Sequence, residues 1–182
     1  MKKTELDSFI YLIEDFLTAD ECDNYIIWSE QKGYEEAKVQ VYGTQMMMKA
    51  VRNNSRITFI DHELAGKIWD RFKPFAQERF ANSHVLGLNE MFRFYKYEPG
   101  QRFKKHIDGS YIRNAEESSY FTLLIYLNDD FEGGETTFQY HTVKPKKGTA
   151  LVFYHGIRHA GEPITRGTKY VLRTDVMYKL IA

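Results

Sequence analysis

From Leu86 onward the chain reads as short runs of β-forming residues broken by turn chemistry, and this texture constrains the fold more than any other feature. Met91–Tyr97 alternates, Ser119–Leu127 concentrates Thr, Tyr, Phe, Leu and Ile, and Thr149–Tyr154 and Thr168–Tyr178 are further strand candidates. Turns separate them at Pro99-Gly100, from Asn128-Asp129-Asp130 through Gly133-Gly134, at Lys144 to Gly148, and at Gly161-Glu162-Pro163. Several strands at close spacing, with little helix after residue 85, predict a sandwich or jelly roll.

The N-terminal half supplies helices. Residues 8–17 cluster Phe9, Ile10, Tyr11, Leu12, Ile13, Phe16 and Leu17 as a buried strand would. Thr18-Ala19-Asp20-Glu21 is a capping box, opening a helix that carries Cys22, Ile26 and Trp28 and stops at Gly33. A second helix starts at Asp61, with Leu64, Ile68 and Phe72 at a spacing of four and Trp69 and Phe75 widening the face. Val39–Ser55, with Gly43, Met46, Met47, Met48 and Asn53-Asn54, has no clear period. Three adjacent methionines cannot all face one side, so this segment reads either as a mobile lid over a site or as a loop folded back on the core. With no internal repeat or linker, one domain is expected over residues 1–182, a helical buttress at about 18–85 and a jelly roll at about 86–180.

Composition narrows the partners. At 182 residues, with 43% hydrophobic content, thirteen Phe and thirteen Tyr, the chain can bury a substantial core. Its 25 basic and 25 acidic residues cancel, so neither nucleic acid nor an anionic membrane is expected as the main partner. A local cluster of Arg93, Lys96, Arg102, Lys104 and Lys105 reads as a charged strand edge. Cys22 is the only cysteine, which excludes an internal disulfide and multi-cysteine metal sites. The chain shows no secretory signal and no apolar run long enough to span a bilayer, so the expectation is a soluble protein of a reducing compartment, the cytoplasm.

Within the β half, Tyr97 to Asp108 ends in His106-Ile107-Asp108. In extended backbone, side chains at i and i+2 leave the same face, so His106 and Asp108 point together. One imidazole and one carboxylate make two thirds of the 2-His-1-carboxylate site that holds non-haem Fe(II) with open positions. The third ligand must come from later strands, and both His155 and His159 follow the apolar run Ala150–Tyr154. Further on, Lys169, Val171 and Arg173 share one strand face. A cation in an apolar strand is expensive unless an anion meets it, so an inward Lys169 or Arg173 calls for a carboxylate from the protein or from a ligand.

These residues carry a resemblance. Tyr97-Glu98-Pro99-Gly100-Gln101 leading to His106-Ile107-Asp108, then Leu127-Asn128-Asp129, Glu132-Gly133-Gly134-Glu135-Thr136, Lys147 to Phe153, His159-Ala160-Gly161 and Gly167-Thr168-Lys169 resemble the Fe(II)- and 2-oxoglutarate-dependent dioxygenases of the prolyl 4-hydroxylase type. Order, spacing and turn residues match from about Phe92 to Tyr178, and Phe16-Leu17-Thr18 with Glu21-Cys22 resembles that family's opening. The resemblance implies a mainly β fold, a double-stranded β-helix (jelly roll) buttressed by N-terminal helices. It implies Fe(II), 2-oxoglutarate and O2 as cofactor and cosubstrates, with ascorbate as a supporting reductant. His106, Asp108 and His159 would hold iron, His159 taking precedence over His155 because the family's distal His directly precedes Ala-Gly. Lys169 would bind the distal carboxylate of 2-oxoglutarate, joined by Tyr126, with Tyr97 lining the same pocket. Arg173 has no firm counterpart and could supplement Lys169, meet the other carboxylate or bind substrate.

The implied reaction couples oxidative decarboxylation of 2-oxoglutarate to hydroxylation, and a carboxylate at Asp108 favours hydroxylation over halogenation. Phe103 stands where collagen-type and algal prolyl hydroxylases have tyrosine, and Tyr170 replaces a common tryptophan. The expected substrate is a prolyl residue of a peptide or protein, with a free amino acid, another side chain or a small metabolite open. Two rivals follow: a nucleic-acid or small-molecule oxygenase of the same superfamily, and a non-catalytic jelly-roll binding module.

Overall fold

The computed structural model describes residues 1–36, 39–41, 44–46 and 53–181, with side chains described outside 36–52. The expectation of a lid at Val39–Ser55, with Met47 and Met48 among its methionines, thus lies largely outside the described residues.

Among the described residues the frame is a large antiparallel sheet in the order Lys2–Asp7, Ile10–Glu14, Ala150–Tyr154, Glu117–Tyr126, Lys169–Leu180, Met91–Tyr97, Ser55–Ile60, Glu35–Glu36. Ser83–Leu88 pairs with the far half of the Lys169–Leu180 strand. A smaller sheet, in the order Phe103–His106, His159–Gly161, Thr136–Thr137, Thr142–Val143, completes the jelly roll. The N-terminal half is therefore not only a buttress: Lys2–Asp7, Ile10–Glu14, Ser55–Ile60 and Ser83–Leu88 all join the main sheet.

Helix α1 (Ala19–Lys32) begins as its sequence dictates. Thr18 Oγ1 accepts from the Glu21 amide and the Glu21 carboxylate accepts from the Thr18 amide, which satisfies two otherwise orphaned donors. Gly33, at φ +81°, ends the helix. Helix α2 (His62–Phe72) is capped by Asp61 Oδ1, which accepts from the Leu64 amide, and it buries Ala65, Ile68 and Phe72. Glu21 also takes both Nη atoms of Arg71, at 2.7 and 2.8 Å, so the cap of α1 ties the two helices together.

Strand alternation then sorts two cores. Phe92, Phe94, Leu123, Ile125 and Leu172 face the helices with Phe16, Cys22, Ile68 and Phe72. Tyr95, Tyr97, Tyr126, Phe153 and Val171 face the space between the sheets with Phe138 and Ile164. Truncating a fully buried ring such as Phe94 to alanine would cost about 3–5 kcal/mol. The inter-sheet face also carries Lys169, Arg173, Thr122 and Asp108, and these make the site.

Candidate metal centre and cosubstrate pocket

The strands Phe103–His106 and His159–Gly161 pair so that His106 stands directly across from His159. Asp108 is fixed two residues further on, where its amide donates to the His155 carbonyl at 3.0 Å. One ligand atom from each of His106, Asp108 and His159 falls within 4.8 Å of the others. His106 Nε2 lies 3.5 Å from Asp108 Oδ1, and His159 Nε2 lies 3.9 Å from Asp108 Oδ2.

Backbone carbonyls settle the tautomers. His106 Nδ1 is 2.7 Å from the Lys104 carbonyl and His159 Nδ1 is 3.0 Å from the Ile157 carbonyl. A carbonyl only accepts, so both Nδ1 atoms carry the proton and both Nε2 atoms present a lone pair to the space beside Asp108. Burial, acting against the nearby Asp108 charge, lowers His159 to about 4, which keeps the ring neutral. Burial also works against the charge on Asp108, but the Arg173 guanidinium and the Thr122 hydroxyl hold its carboxyl well below the usual carboxylate range. Two neutral imidazoles and an ionised carboxylate are the donor set a divalent ion of borderline character takes, so these residues could hold Fe(II). Phe103 stacks on His106 at 3.5 Å between centroids, and Phe153 and Phe138 crowd His159, holding both rings in place.

His155 stands behind this trio. Thr122 Oγ1 donates its single proton to Asp108 Oδ2 at 2.6 Å, so it accepts from His155 Nδ1 at 3.1 Å, and His155 Nε2 in turn accepts from Ser119 Oγ at 2.9 Å. Both ring nitrogens are committed, and burial lowers the pKa of His155. Of the two histidines open in the sequence, the structure brings His159 to Asp108 as a neighbour and makes His155 a support for Thr122.

Lys169 lies deeper in the cleft. Its side chain is buried; Nζ donates to the Gly134 carbonyl at 2.6 Å and sits 5.6 Å from the Tyr97 ring and 5.3 Å from the Tyr126 ring. No carboxylate forms an ion pair with it among the described residues, and burial, partly opposed by Glu135, lowers it to about 7. Tyr126 Oη bonds Thr136 Oγ1 at 2.7 Å. Gly134, at φ +70°, cannot be replaced without strain, since a Cβ there would collide with Ile164 Cδ1 and press on Lys169 Cδ. Arg173 points to the other end, with Nη2 3.2 Å from Asp108 Oδ2 and 3.1 Å from Asp175 Oδ1. Asp175 meets Arg93 at 3.3 Å, and Lys96 meets Glu30 at 2.8 Å, so two cations of the expected charged cluster are spent on internal pairs. Sequence reasoning missed Thr122, Ser119 and Asp175; the acid inside the strand run Lys169–Leu180 was the available signal.

The cleft, partly open to solvent, is lined by His106, Asp108, His159, Lys169, Arg173 and Tyr97, among others. A buried lysine with no carboxylate partner among the described residues suits an acidic ligand. A jelly roll with two histidines and an aspartate at one end of such a cleft, and a lysine at the other, is the arrangement expected of a non-haem iron oxygenase that uses a 2-oxo acid.

Comparison with known proteins specifies the class. Residues 92–174 match the family model of the 2OG-Fe(II) oxygenase superfamily. The chain is similar to a probable prolyl 4-hydroxylase 7 of Arabidopsis thaliana, 25% identical across 88% of this chain and 60% of the relative. It is 29% identical to a PKHD-type hydroxylase of Acaryochloris marina across 43% of this chain and 37% of that protein. The chain thus spans less than two thirds of the length of these curated relatives. Among solved structures, the 2OG complex of the viral collagen prolyl hydroxylase of Paramecium Bursaria Chlorella virus-1 superposes with a TM-score of 0.69 at 25% identity, covering 95% of this chain and 97% of that one. A Pseudomonas putida prolyl-4-hydroxylase shares the fold, with a TM-score of 0.70 at 16% identity and coverage of 96% and 95%. The chain thus resembles the 2OG-Fe(II) oxygenases of the prolyl 4-hydroxylase type, proteins that use Fe(II), 2-oxoglutarate and O2. Among the described residues no helix is long and apolar enough to cross a membrane.

Proposed function

We propose that the protein is a 2-oxoglutarate-dependent hydroxylase whose substrate is a prolyl residue of a peptide or protein. The observation that carries this reading is the pairing, in one cleft, of the His106–Asp108–His159 trio with a buried Lys169 that has no carboxylate partner among the described residues. His106 Nε2, His159 Nε2 and an Asp108 oxygen would hold Fe(II); Lys169 would take one carboxylate of 2-oxoglutarate, with Tyr126 and Tyr97 walling that end. Iron with 2-oxoglutarate and O2 supplies the oxidising power for inserting a hydroxyl group.

The chain's own residues do the rest. Lys169 supplies the charge that selects an acid, Gly134 holds the ammonium in place, and the Tyr97, Tyr126, Phe153 and Val171 walls exclude water. Prolyl specificity draws support from the relatives: prolyl 4-hydroxylases recur among them, and one fold neighbour from Trichoplax adhaerens is a prolyl hydroxylase in complex with a peptide fragment. The buried, unpaired Cys22 suits a reducing compartment such as the cytoplasm.

The test is succinate formation from 2-oxoglutarate by anaerobically iron-loaded protein after oxygen is admitted, with Asp108→Ala as control, followed by screening of proline-containing peptides for a mass gain of one oxygen. Stimulation of succinate release by a proline peptide, but not by its alanine counterpart, is expected. Equal release with both peptides would reject the prolyl substrate, and release unchanged in the control would reject the iron site.

A further inference from the structure

The Asp108 carboxylate has two oxygens, and the chain treats them differently. Oδ2 accepts from Thr122 Oγ1 at 2.6 Å and is ion-paired with Arg173 Nη2 at 3.2 Å. Oδ1 has only His106 Nε2 near it, at 3.5 Å, among the described residues, and that nitrogen carries no proton in the tautomer its backbone contact enforces. Arg173 is held from behind by Asp175 Oδ1 at 3.1 Å, and Asp175 by Arg93 at 3.3 Å. Its side chain is 12% exposed, so the guanidinium has little freedom to swing toward Lys169. Thr122 is equally fixed, through His155 and Ser119.

Resting on the iron reading above, we propose that Arg173 is a positioning residue: with Thr122 it occupies Asp108 Oδ2, so that the aspartate meets the metal through Oδ1 alone. A carboxylate free to rotate can bind an ion through both oxygens and consume a second coordination position. One held at Oδ2 by a hydroxyl and by the charge of a guanidinium nitrogen gives up one position and leaves the others for ligands. The sequence places this guanidinium on the same strand as Lys169, four residues on and on the same face, so one strand carries both the metal-end clamp and the ligand-end cation.

The experiment is a titration of full-length protein with Co(II), followed by visible absorption, for wild type, Arg173→Met, Arg173→Lys and Thr122→Val. Co(II) reports affinity and coordination without turnover. Arg173→Met is expected to weaken Co(II) roughly 10- to 100-fold and to alter the d–d bands, with partial recovery of both in Arg173→Lys. Thr122→Val, which removes the second clamp, is expected to move the spectrum in the same direction. At saturating Co(II), 2-oxoglutarate affinity of the Arg173 variants is expected to stay within about threefold of wild type, a change of well under 1 kcal/mol. Wild-type Co(II) affinity and spectrum in Arg173→Met overturn the proposal, as does a loss confined to 2-oxoglutarate binding, which would make Arg173 a cosubstrate contact. If Arg173→Met does not fold, an unchanged spectrum in both Arg173→Lys and Thr122→Val overturns it equally. Wild-type protein that binds no Co(II) overturns the iron reading and this proposal with it; bound Co(II) with indifferent variants overturns this proposal alone.

Discussion

At the metal end of the cleft, Asp108 and Asp175 are matched by Arg173 and Arg93, and Thr122 and His155 add hydrogen bonds behind Asp108. At the other end Lys169 is as deeply buried but, among the described residues, contacts a glycine carbonyl and two tyrosine rings and no paired carboxylate. The metal end is balanced within the chain before any ligand arrives; the lysine end is balanced only when an anion enters. A buried charge without a counter-charge is retained at a cost in stability, and a protein keeps one where binding recovers that cost. The difference separates a scaffold that presents ligands from a receptor that waits for one.

The strongest way to break this comparison is to remove the presented ligands. Asp108→Ala and His159→Ala are each expected to reduce Fe(II)-dependent succinate formation to background while leaving the far-ultraviolet circular dichroism unchanged; measurable turnover in either would dissolve the metal end as drawn. Next comes Lys169→Met. An ion pair broken at one partner inside a protein loses about 3–5 kcal/mol, so the 2-oxoglutarate concentration for half-saturation should rise roughly 150- to 5,000-fold. The same variant should melt at a higher temperature than wild type when no ligand is present, because it removes an uncompensated buried cation. A lower melting temperature would mean that Lys169 already has its anion.

A pH titration sharpens the same point. Lys169 titrates at about 7 in the free protein, and a bound carboxylate raises that value. Protonation is therefore linked to binding: below about 7 the affinity for 2-oxoglutarate should be flat with respect to this group, and above it the dissociation constant should rise up to tenfold per pH unit. Calorimetry at pH 6.5, 7.5 and 8.5 on Co(II)-loaded protein would read this, and a flat profile would assign the anion to another group. The smallest effect is expected at His155→Leu. It leaves the buried Ser119 hydroxyl without its acceptor and Thr122 without one of its donors, so stability should fall by about 1–3 kcal/mol by urea unfolding while Co(II) binding persists. Loss of metal on the scale of His159→Ala would move His155 from support to ligand.

What the sequence disclosed follows physical range. The cap at Thr18, the stop at Gly33 and the α2 face Ile68–Phe72 are local, and each appears where its residues require. Met91–Tyr97 has the bounds its alternation suggested. The trio was legible because His106 and Asp108 are two residues apart and His159 sits in a motif, and the expectation that an inward cation must find an anion divided, Arg173 meeting Asp108 and Asp175 and Lys169 meeting none among the described residues. The Lys2–Asp7 strand was not legible, because an edge strand of mostly charged residues carries no apolar period. The two- and three-residue strands of the smaller sheet are too short to show one. The Ser119–His155–Thr122–Asp108 chain joins residues 36, 33 and 14 apart, and no local pattern announces a network assembled by cross-sheet register.

Lys169 and Arg173 belong to a strand paired on one side with Glu117–Tyr126 and on the other with Met91–Tyr97. Backbone held by ladders on both edges neither stretches nor slips, so the separation of their Cα atoms is set by the pleat, at about 13 Å for four residues. The strand therefore acts as a gauge. Under the proposed reading, an acid held by Lys169 at one end and by the trio at the other would be selected by its carbon count, and 2-oxo diacids one carbon shorter or longer than 2-oxoglutarate would meet the wrong length before they met the wrong charge.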